Sequence, residues 1–114
     1  MQSDAGEEHL RAALKRLCSL GLNKIVRVDP ALAAALRVPE NSSPSEAHEL
    51  TRRSLLAHSD RLEADLRVVF LEAGGFRRDS PTTGPARVQA AADQLRTSRR
   101  TAYRRLGDAI EQIV

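Results

Sequence analysis

Apolar residues recur at helical spacing along most of this chain. In the first twenty residues they fall on one side of a helix, at Leu10, Ala13, Leu14 and Leu17. Asp4 and Glu7 have the spacing of a capping box, and Gly21 can end a helix by adopting a positive φ. The pattern predicts a first helix from about residue 5 to about residue 20.

The segment that follows begins with the β-branched run NKIVRV, which has the composition of a strand. No second strand candidate is available to pair with it, so we interpret it as a connection. Asp29 can cap a helix whose first residue is Pro30, because the missing N–H of proline costs nothing at that position. Pro39 stops this segment, which therefore predicts a short helix.

Two further helix starts are visible in the middle of the chain. Ser43 can cap a helix that begins at Pro44 and runs to about His58, and Asp60 with Glu63 offers another capping pair. The apolar positions beyond them keep a helical period, at Leu62, Leu66, Val69, Phe70 and Ala73. The sequence leaves open whether this region is one long helix or two, and a pair of glycines ends it.

The last third of the chain predicts two helices separated by a short step. After the loop RRDSPTTG, Gly84 and Pro85 begin a helix with an apolar face at Val88, Ala91, Ala92 and Leu95. Arg96 to Ser98 form the step, and Ser98 can cap the final helix. The buried stripe of that helix is Ala102, Leu106, Ala109, Ile110 and Ile113. We therefore expect an all-α protein, a single compact bundle of about six helices over residues 1–114.

The segment VQAAADQLRTSRRTAYRRLGDAI resembles a helix-turn-helix DNA-binding motif, in the version found in the fourth region of sigma factors and related bacterial regulators. The resemblance covers about residues 84–113. Positions that match the family pattern are the small Ala92, the Leu95 before the turn, the capping Ser98, and Thr101 with Ala102. The family usually has Gly in the turn, where this chain has Arg96, and Arg adopts positive φ less readily. The resemblance implies binding of double-stranded DNA by a bacterial transcriptional regulator.

Charge points to the same region of the chain. Residues 76–114 contain eight arginines and four carboxylates, a net charge of +4, whereas residues 1–75 contain ten basic and eleven acidic residues, a net charge of −1. A polyanionic partner would therefore bind the carboxyl-terminal third. One simpler explanation is coding bias, since sixteen of the eighteen basic residues are Arg.

Helical geometry selects the residues that would contact DNA. With Ala102 and Leu106 inward, the exposed face near the start of the last helix consists of Arg99, Arg100, Tyr103 and Arg104. Recognition helices present these positions to the major groove, where Arg can bind guanine O6 and N7 or neutralise a phosphate. Arg96 and Arg105 lie to the sides, where phosphate contacts are expected. The alternative is that these arginines only solvate a helix flank.

Other functions have weaker support in the sequence. The three histidines lack nearby Cys or carboxylate partners, Cys18 stands alone, and we expect no metal, no cofactor and no catalytic residues. The apolar runs are far too short to span a membrane, and the acidic amino terminus is unlike a secretory signal, which predicts a cytoplasmic protein. The main alternative function is a helical adaptor that binds other proteins.

Residues 5–73 carry no recognisable chemistry of their own. They would support the helix-turn-helix, bind a protein partner through the amino-terminal helices, or form a homodimer interface within residues 5–40. The last helix is still in its apolar pattern at Val114, as expected if the natural chain continues into a larger protein. Neither the target DNA sequence nor the direction of regulation can be read from the residues.

Overall fold

The computed structural model describes residues 2–114, with side chains from Gly6 onward, and its architecture is all-α. The six helices are α1 (Gln2–Leu20), α2 (Pro30–Ala35), α3 (Pro44–Ser59), α4 (Ala64–Ala73), α5 (Gly84–Leu95) and α6 (Arg99–Ile113). A short 3₁₀ turn, Leu22–Lys24, follows α1. The described residues contain no strand, which confirms that NKIVRV connects helices. The region that the sequence left open as one long helix or two consists of two helices, α3 and α4.

Three of the predicted helix caps are confirmed by their hydrogen bonds. The Asp29 carboxylate accepts the Ala31 N–H at 2.9 Å, and the Ser43 hydroxyl accepts the Glu46 N–H at 3.2 Å. The Ser98 hydroxyl accepts the Thr101 N–H at 3.1 Å at the start of α6. Each bond satisfies an amide that has no partner within its helix, so these local signals fix where α2, α3 and α6 begin.

Two predicted capping pairs were wrong. The Asp60 N–H still bonds the Leu56 carbonyl, so Asp60 has helical backbone at the end of α3 and cannot cap α4. The chain turns at Leu62, which is buried, and α4 follows Glu63, whose side chain makes no cap hydrogen bond. Asp4 lies inside α1, which begins at Gln2. Acidic residues in a first turn are compatible with the helix dipole without acting as caps.

The core is arranged around α4, which packs against both α5 and α6, while α5 also packs against α6. Four alanines of α5 and α6 have no exposed surface, namely Ala91, Ala92, Ala102 and Ala109. These small side chains let α5 and α6 approach closely, and most of both predicted stripes is buried, with Leu95 and Ile113 half-buried. The helix α1 crosses this three-helix unit and contacts all of its members.

The remaining elements brace the amino-terminal side. α2 packs against α1, and α3 contacts α4. His48 and Arg52 of α3 bond the carbonyls of Leu22 and Phe76 at 2.8 and 2.6 Å, which ties α3 to the turns after α1 and α4. None of the helices within residues 2–114 is long and apolar enough to cross a membrane.

Candidate nucleic-acid interface

The turn between α5 and α6 is built around Arg96, whose backbone is left-handed at φ 53° and ψ 47°. The Thr97 N–H bonds the Ala92 carbonyl at 3.0 Å, and the Arg96 N–H bonds the Asp93 carbonyl at 3.2 Å. A left-handed residue with this pair of bonds is the Schellman arrangement, which ends a helix and satisfies its last carbonyls. The chain thus adopts at Arg96 the positive φ for which glycine is usually selected.

The turn leads directly into a capped helix whose first residues project into solvent. Arg96, Ser98, Arg99, Arg100 and Arg104 are exposed, and 45% of the Tyr103 surface is accessible. Ala102 and Leu106, on the opposite side of α6, are buried. The basic face predicted from helical spacing is therefore present as an exposed face at the amino-terminal half of α6.

Ion pairing divides these arginines into two classes. Among residues 6–114, whose side chains the structure describes, Arg96, Arg99, Arg100 and Arg104 form no salt bridge. Arg105 differs, since its Nη1 lies 2.8 Å from Asp65 of α4 and its side chain is only 31% exposed. Arg105 therefore already has an anionic partner, whereas the other four have no carboxylate of the described residues within salt-bridge distance.

The sides of α6 differ in charge. Between α4 and α6 runs a groove whose charged lining consists of four carboxylates and two arginines, Glu63, Asp65, Asp108, Glu111, Arg104 and Arg105. On the other side, Tyr103 borders a groove shared with Lys15 of α1 and with Gly84 and Pro85 at the start of α5. Lys15 thus adds positive charge on the Tyr103 side of α6, whereas carboxylates outnumber arginines in the groove on the other side. Sequence reasoning missed Lys15, because only the packing of α1 on α6 brings it close.

A buried arginine outside this face holds the structure behind it together. Arg87 of α5 is only 1% exposed, and its guanidinium donates to five backbone carbonyls at 2.8 to 3.1 Å. The acceptors are Ala73 at the end of α4, Cys18 and Ser19 at the end of α1, and Pro81 and Thr82 in the loop before α5.

Arg87 compensates the ends of two helices at once, because the last carbonyls of a helix lack intrahelical donors and carry partial negative charge. Burial lowers the pKa of its guanidinium, which stays charged because arginine is not deprotonated in proteins. Sequence reasoning missed Arg87. The available signal was a charged residue beside Val88 on the apolar face of α5, because a charge on a buried face is not solvated by water and needs polar partners within the protein.

A second link joins the first and last helices. The guanidinium of Arg11 on α1 binds the carboxylate of Glu111 on α6 through two hydrogen bonds, one of them 2.8 Å long from Nη2 to Oε1. The hydrogen bond from Arg11 lowers the pKa of Glu111. Both side chains are partly exposed, so the pair helps to orient α1 on α6 more than it stabilises the fold.

Cys18, the one cysteine of the chain, faces the core. Burial raises the pKa of its thiol to about 12, a shift that the positive charge of Arg87 partly opposes. A thiol held in its neutral form is a poor nucleophile, because the thiolate is the reactive species. Cys18 therefore serves as a small core residue next to the Arg87 network.

Comparison of the chain with protein-family models, with curated proteins and with solved structures gives no significant match.

Proposed function

We propose that this protein binds double-stranded DNA through the amino-terminal half of α6, with α5, the Arg96 turn and α6 acting as a helix-turn-helix. The observation that carries the proposal is the set of four exposed arginines without salt bridges, Arg96, Arg99, Arg100 and Arg104, placed around the capped start of one helix. Recognition helices enter the major groove with this end. On this proposal the protein is a bacterial transcriptional regulator that acts in the cytoplasm and is not an enzyme.

The distribution of carboxylates supports an orientation of α6 on DNA. The exposed residues of its first half are three arginines and Tyr103, whereas Asp108 and Glu111 lie in its second half. A helix that entered the groove along its whole length would bring these carboxylates near phosphates, which is unfavourable. Entry by the first turns alone keeps Arg99 and Arg100 nearest the bases and leaves the acidic half outside.

The groove beside Tyr103 supports a contact with the DNA backbone. Lys15 and the start of α5 lie on this side of α6, and helix N-termini and lysines are common phosphate partners. The Tyr103 hydroxyl can donate to a phosphate at the same edge. Ser98 takes part indirectly, because its hydroxyl is used to cap α6 and thereby positions Arg99 and Arg100.

The experiment measures binding of the chain to duplex DNA selected from a random pool, over a range of salt concentrations. If about four to six phosphates are contacted, log K should fall with log salt with a slope near −0.9 per phosphate. Arg100→Ala should cost about 1 to 3 kcal/mol of binding free energy on the selected site and relax preference at one base pair. Arg105→Ala should have a smaller effect, because Asp65 already neutralises that side chain.

Leu106→Ala is the stability control, with an expected loss of about 2 to 5 kcal/mol in the free energy of unfolding. If Arg100→Ala bound every DNA as tightly as the parent, or if binding did not depend on salt, α6 would not be a DNA-binding helix. The adaptor function, in which the same helices bind another protein, would then take its place.

We also propose that the protein acts as a homodimer through residues 5–40. Two large apolar residues of the described part of this range are exposed, Leu20 by 59% and Val26 by 79%. Leu20 borders an apolar cleft of about 140 Å³, which is also lined by Ile25 and Val28. A second copy that covered this surface would remove apolar area from water and place two α6 helices on one duplex.

A further inference from the structure

A small polar pocket lies between the turn after α1 and the loop after α4, on the side of the molecule formed by the Arg87 network. Its volume is about 60 Å³, and the side chains that line it include Asn23, Lys24, Arg78, Ser80 and Arg87. Water occupies about 30 Å³ per molecule in the liquid, so the pocket has room for a group of about two water molecules. It is too small for a nucleoside.

The pocket is cationic. Three of its lining residues carry positive charge, and no lining residue is acidic. Within residues 6–114, Lys24, Arg78 and Arg87 form no salt bridge with a carboxylate. Buried charges are normally paired, and Arg87 is compensated here only by carbonyl dipoles. A small anion would supply the missing negative charge.

One group in the pocket wall has an unused hydrogen-bonding capacity. The hydroxyl oxygen of Ser80 is buried and, among the residues that the structure describes, has no hydrogen-bond partner. Leaving a buried hydroxyl unpaired is unfavourable, so such groups are rare in folded proteins. Ser80 is one of the residues that line the pocket, so rotation of its side chain into the pocket would let this hydroxyl donate a hydrogen bond to an anion there.

The walls of the pocket are fixed before any ligand arrives. The Leu22 N–H bonds the Gly74 carbonyl at 2.7 Å, and the Asn23 side chain donates to the Arg77 carbonyl, so the two segments are tied together. Gly21 and Gly75 both have positive φ. A Cβ at Gly75 would lie 3.0 Å from the Gly21 Cα, so only glycine lets the segments come this close. Pre-formed walls reduce the entropy lost when a ligand binds.

We propose that this pocket binds a phosphate group, with Lys24 and Arg78 neutralising its charge and the Ser80 hydroxyl donating a hydrogen bond. The five N–H groups of Arg87 are already used by carbonyls, so Arg87 contributes its charge from behind the pocket. The bound group is either a free phosphate ion or a phosphate of the DNA backbone. The proposal is independent of DNA recognition by α6, because none of these residues lies on that helix.

The test titrates the full chain with inorganic phosphate, against chloride at the same ionic strength, and follows backbone amide NMR shifts. We expect saturable shifts at Gly21, Lys24 and Gly75, and a rise of the melting temperature that saturates in parallel. Phosphate also stabilises proteins in general, by exclusion from their surface. The specific effect is the part that depends on the pocket residues.

Three variants separate the specific effect from the general one. Ser80→Ala and Arg78→Gln should each weaken phosphate binding about tenfold, as expected for loss of one hydrogen bond to a charged group. Ser80→Ala should leave the melting temperature in chloride unchanged or higher, because it removes an unpaired hydroxyl. Arg61→Gln, a change of an exposed arginine away from the pocket, should bind phosphate like the parent.

A duplex DNA arm identifies the source of the phosphate group. If DNA shifts the NMR signals of the same three amides and inorganic phosphate reverses those shifts, the bound group is a phosphate of the DNA backbone. If DNA shifts only amides of α6, or does not bind, while inorganic phosphate still saturates the pocket, the ligand is a free oxyanion. Shifts that do not saturate, or that are equal in the parent, Ser80→Ala and Arg78→Gln, would overturn the proposal.

Discussion

At the scale of single residues, Arg96 occupies a backbone conformation that glycine adopts at lower energy. A left-handed conformation costs an L-residue about 1 to 2 kcal/mol, and part of this is regained because glycine loses more chain entropy on folding. An arginine at this position is costly for the fold and places a positive charge beside the first turn of α6. This combination is expected where a side chain serves binding at the expense of stability.

We therefore predict that Arg96→Gly raises the free energy of unfolding by up to about 1 kcal/mol while weakening DNA binding. Loss of one phosphate contact should reduce the salt slope by about 0.9. Urea denaturation and salt titrations of DNA binding measure the two effects. Arg37→Gly is a matched control, because Arg37 has φ 59° at the end of α2, far from α6 in sequence. It should stabilise similarly without changing DNA binding, and an Arg96→Gly variant that behaved the same way would argue against a phosphate contact at Arg96.

Cys18 makes the stability of the fold depend on alkaline pH. Its thiol has a pKa of about 12 in the folded protein and of about 9.0 when unfolded. Above pH 9 the unfolded chain loses this proton while the folded chain keeps it, so stability falls as pH rises. We expect the free energy of unfolding of the parent to decrease, relative to Cys18→Ala, by about 1.4 kcal/mol per pH unit between those two values.

Urea denaturation of both proteins across neutral and alkaline pH measures this difference. Below pH 9 the difference should be constant, since the thiol is protonated in both states. A difference that stayed constant up to pH 11 would show that the Cys18 thiol ionises equally well in the folded and unfolded chains.

At the scale of elements, Arg87 on α5 is bonded to the carboxyl-terminal ends of α1 and α4 and so joins the three helices. Its five hydrogen bonds bridge segments up to 69 residues apart in sequence. The same guanidinium packs 3.0 Å from where a Cβ would stand at Gly21, so the turn after α1 is also fitted to it. This side chain therefore helps to orient α5, the first helix of the proposed helix-turn-helix.

Replacing Arg87 by Met should keep much of the packing volume but leave five carbonyls without their donor. We predict a loss of about 3 to 5 kcal/mol in the free energy of unfolding, because each buried carbonyl that is left without a donor costs about 1 to 3 kcal/mol and water can reach part of them. Arg87→Lys should lose less, because an ammonium group has three donors where guanidinium has five. Arg61→Met should change stability by no more than about 0.5 kcal/mol. Equal urea midpoints for Arg87→Met and the parent would contradict this account of the network.

At the scale of the whole molecule, the basic face of α6 and the large exposed apolar residues of the amino-terminal region lie on different elements. Four exposed arginines that form no salt bridge within residues 6–114 lie around the start of α6, whereas Leu20 and Val26 are exposed at the end of α1 and in the connection before α2. Such a separation is expected of a protein that binds DNA through one surface and forms a dimer through another. A single helix-turn-helix reads few base pairs, and two copies one helical turn apart gain affinity and specificity.

We predict that light scattering gives about twice the chain mass of 12.5 kDa, both free and on DNA. Val26→Asp should produce a monomer with unchanged helix content, because a charge at this 79% exposed position harms only an interface. Leu50→Asp, at a partly exposed residue of α3, should remain dimeric. A parent chain that is monomeric in both conditions would exclude the dimer.

The sequence by itself determined most of the helices, because caps, apolar periodicity and turn residues act within a few positions of one another. Asp29, Ser43 and Ser98 could be identified as caps, and the stripe that includes Ala102 and Leu106 could be placed, from such short-range rules. The exposed positions of Arg99 and Arg100 followed from the same periodicity. What these arginines bind was not determined by it, and DNA remains a proposal.

Only the tertiary structure decided which charged residues form ion pairs or hydrogen bonds with distant parts of the chain. Arg105 pairs with Asp65 across 40 residues of sequence, and Arg11 with Glu111 across 100. Arg87 is buried where three chain segments bring carbonyls to it, and Asp60 continues α3 through its bond to the Leu56 carbonyl, ahead of the turn at the buried Leu62. Each outcome depends on groups that meet only after the helices have packed, and the spacing of residues along the chain carries no record of such distant partners.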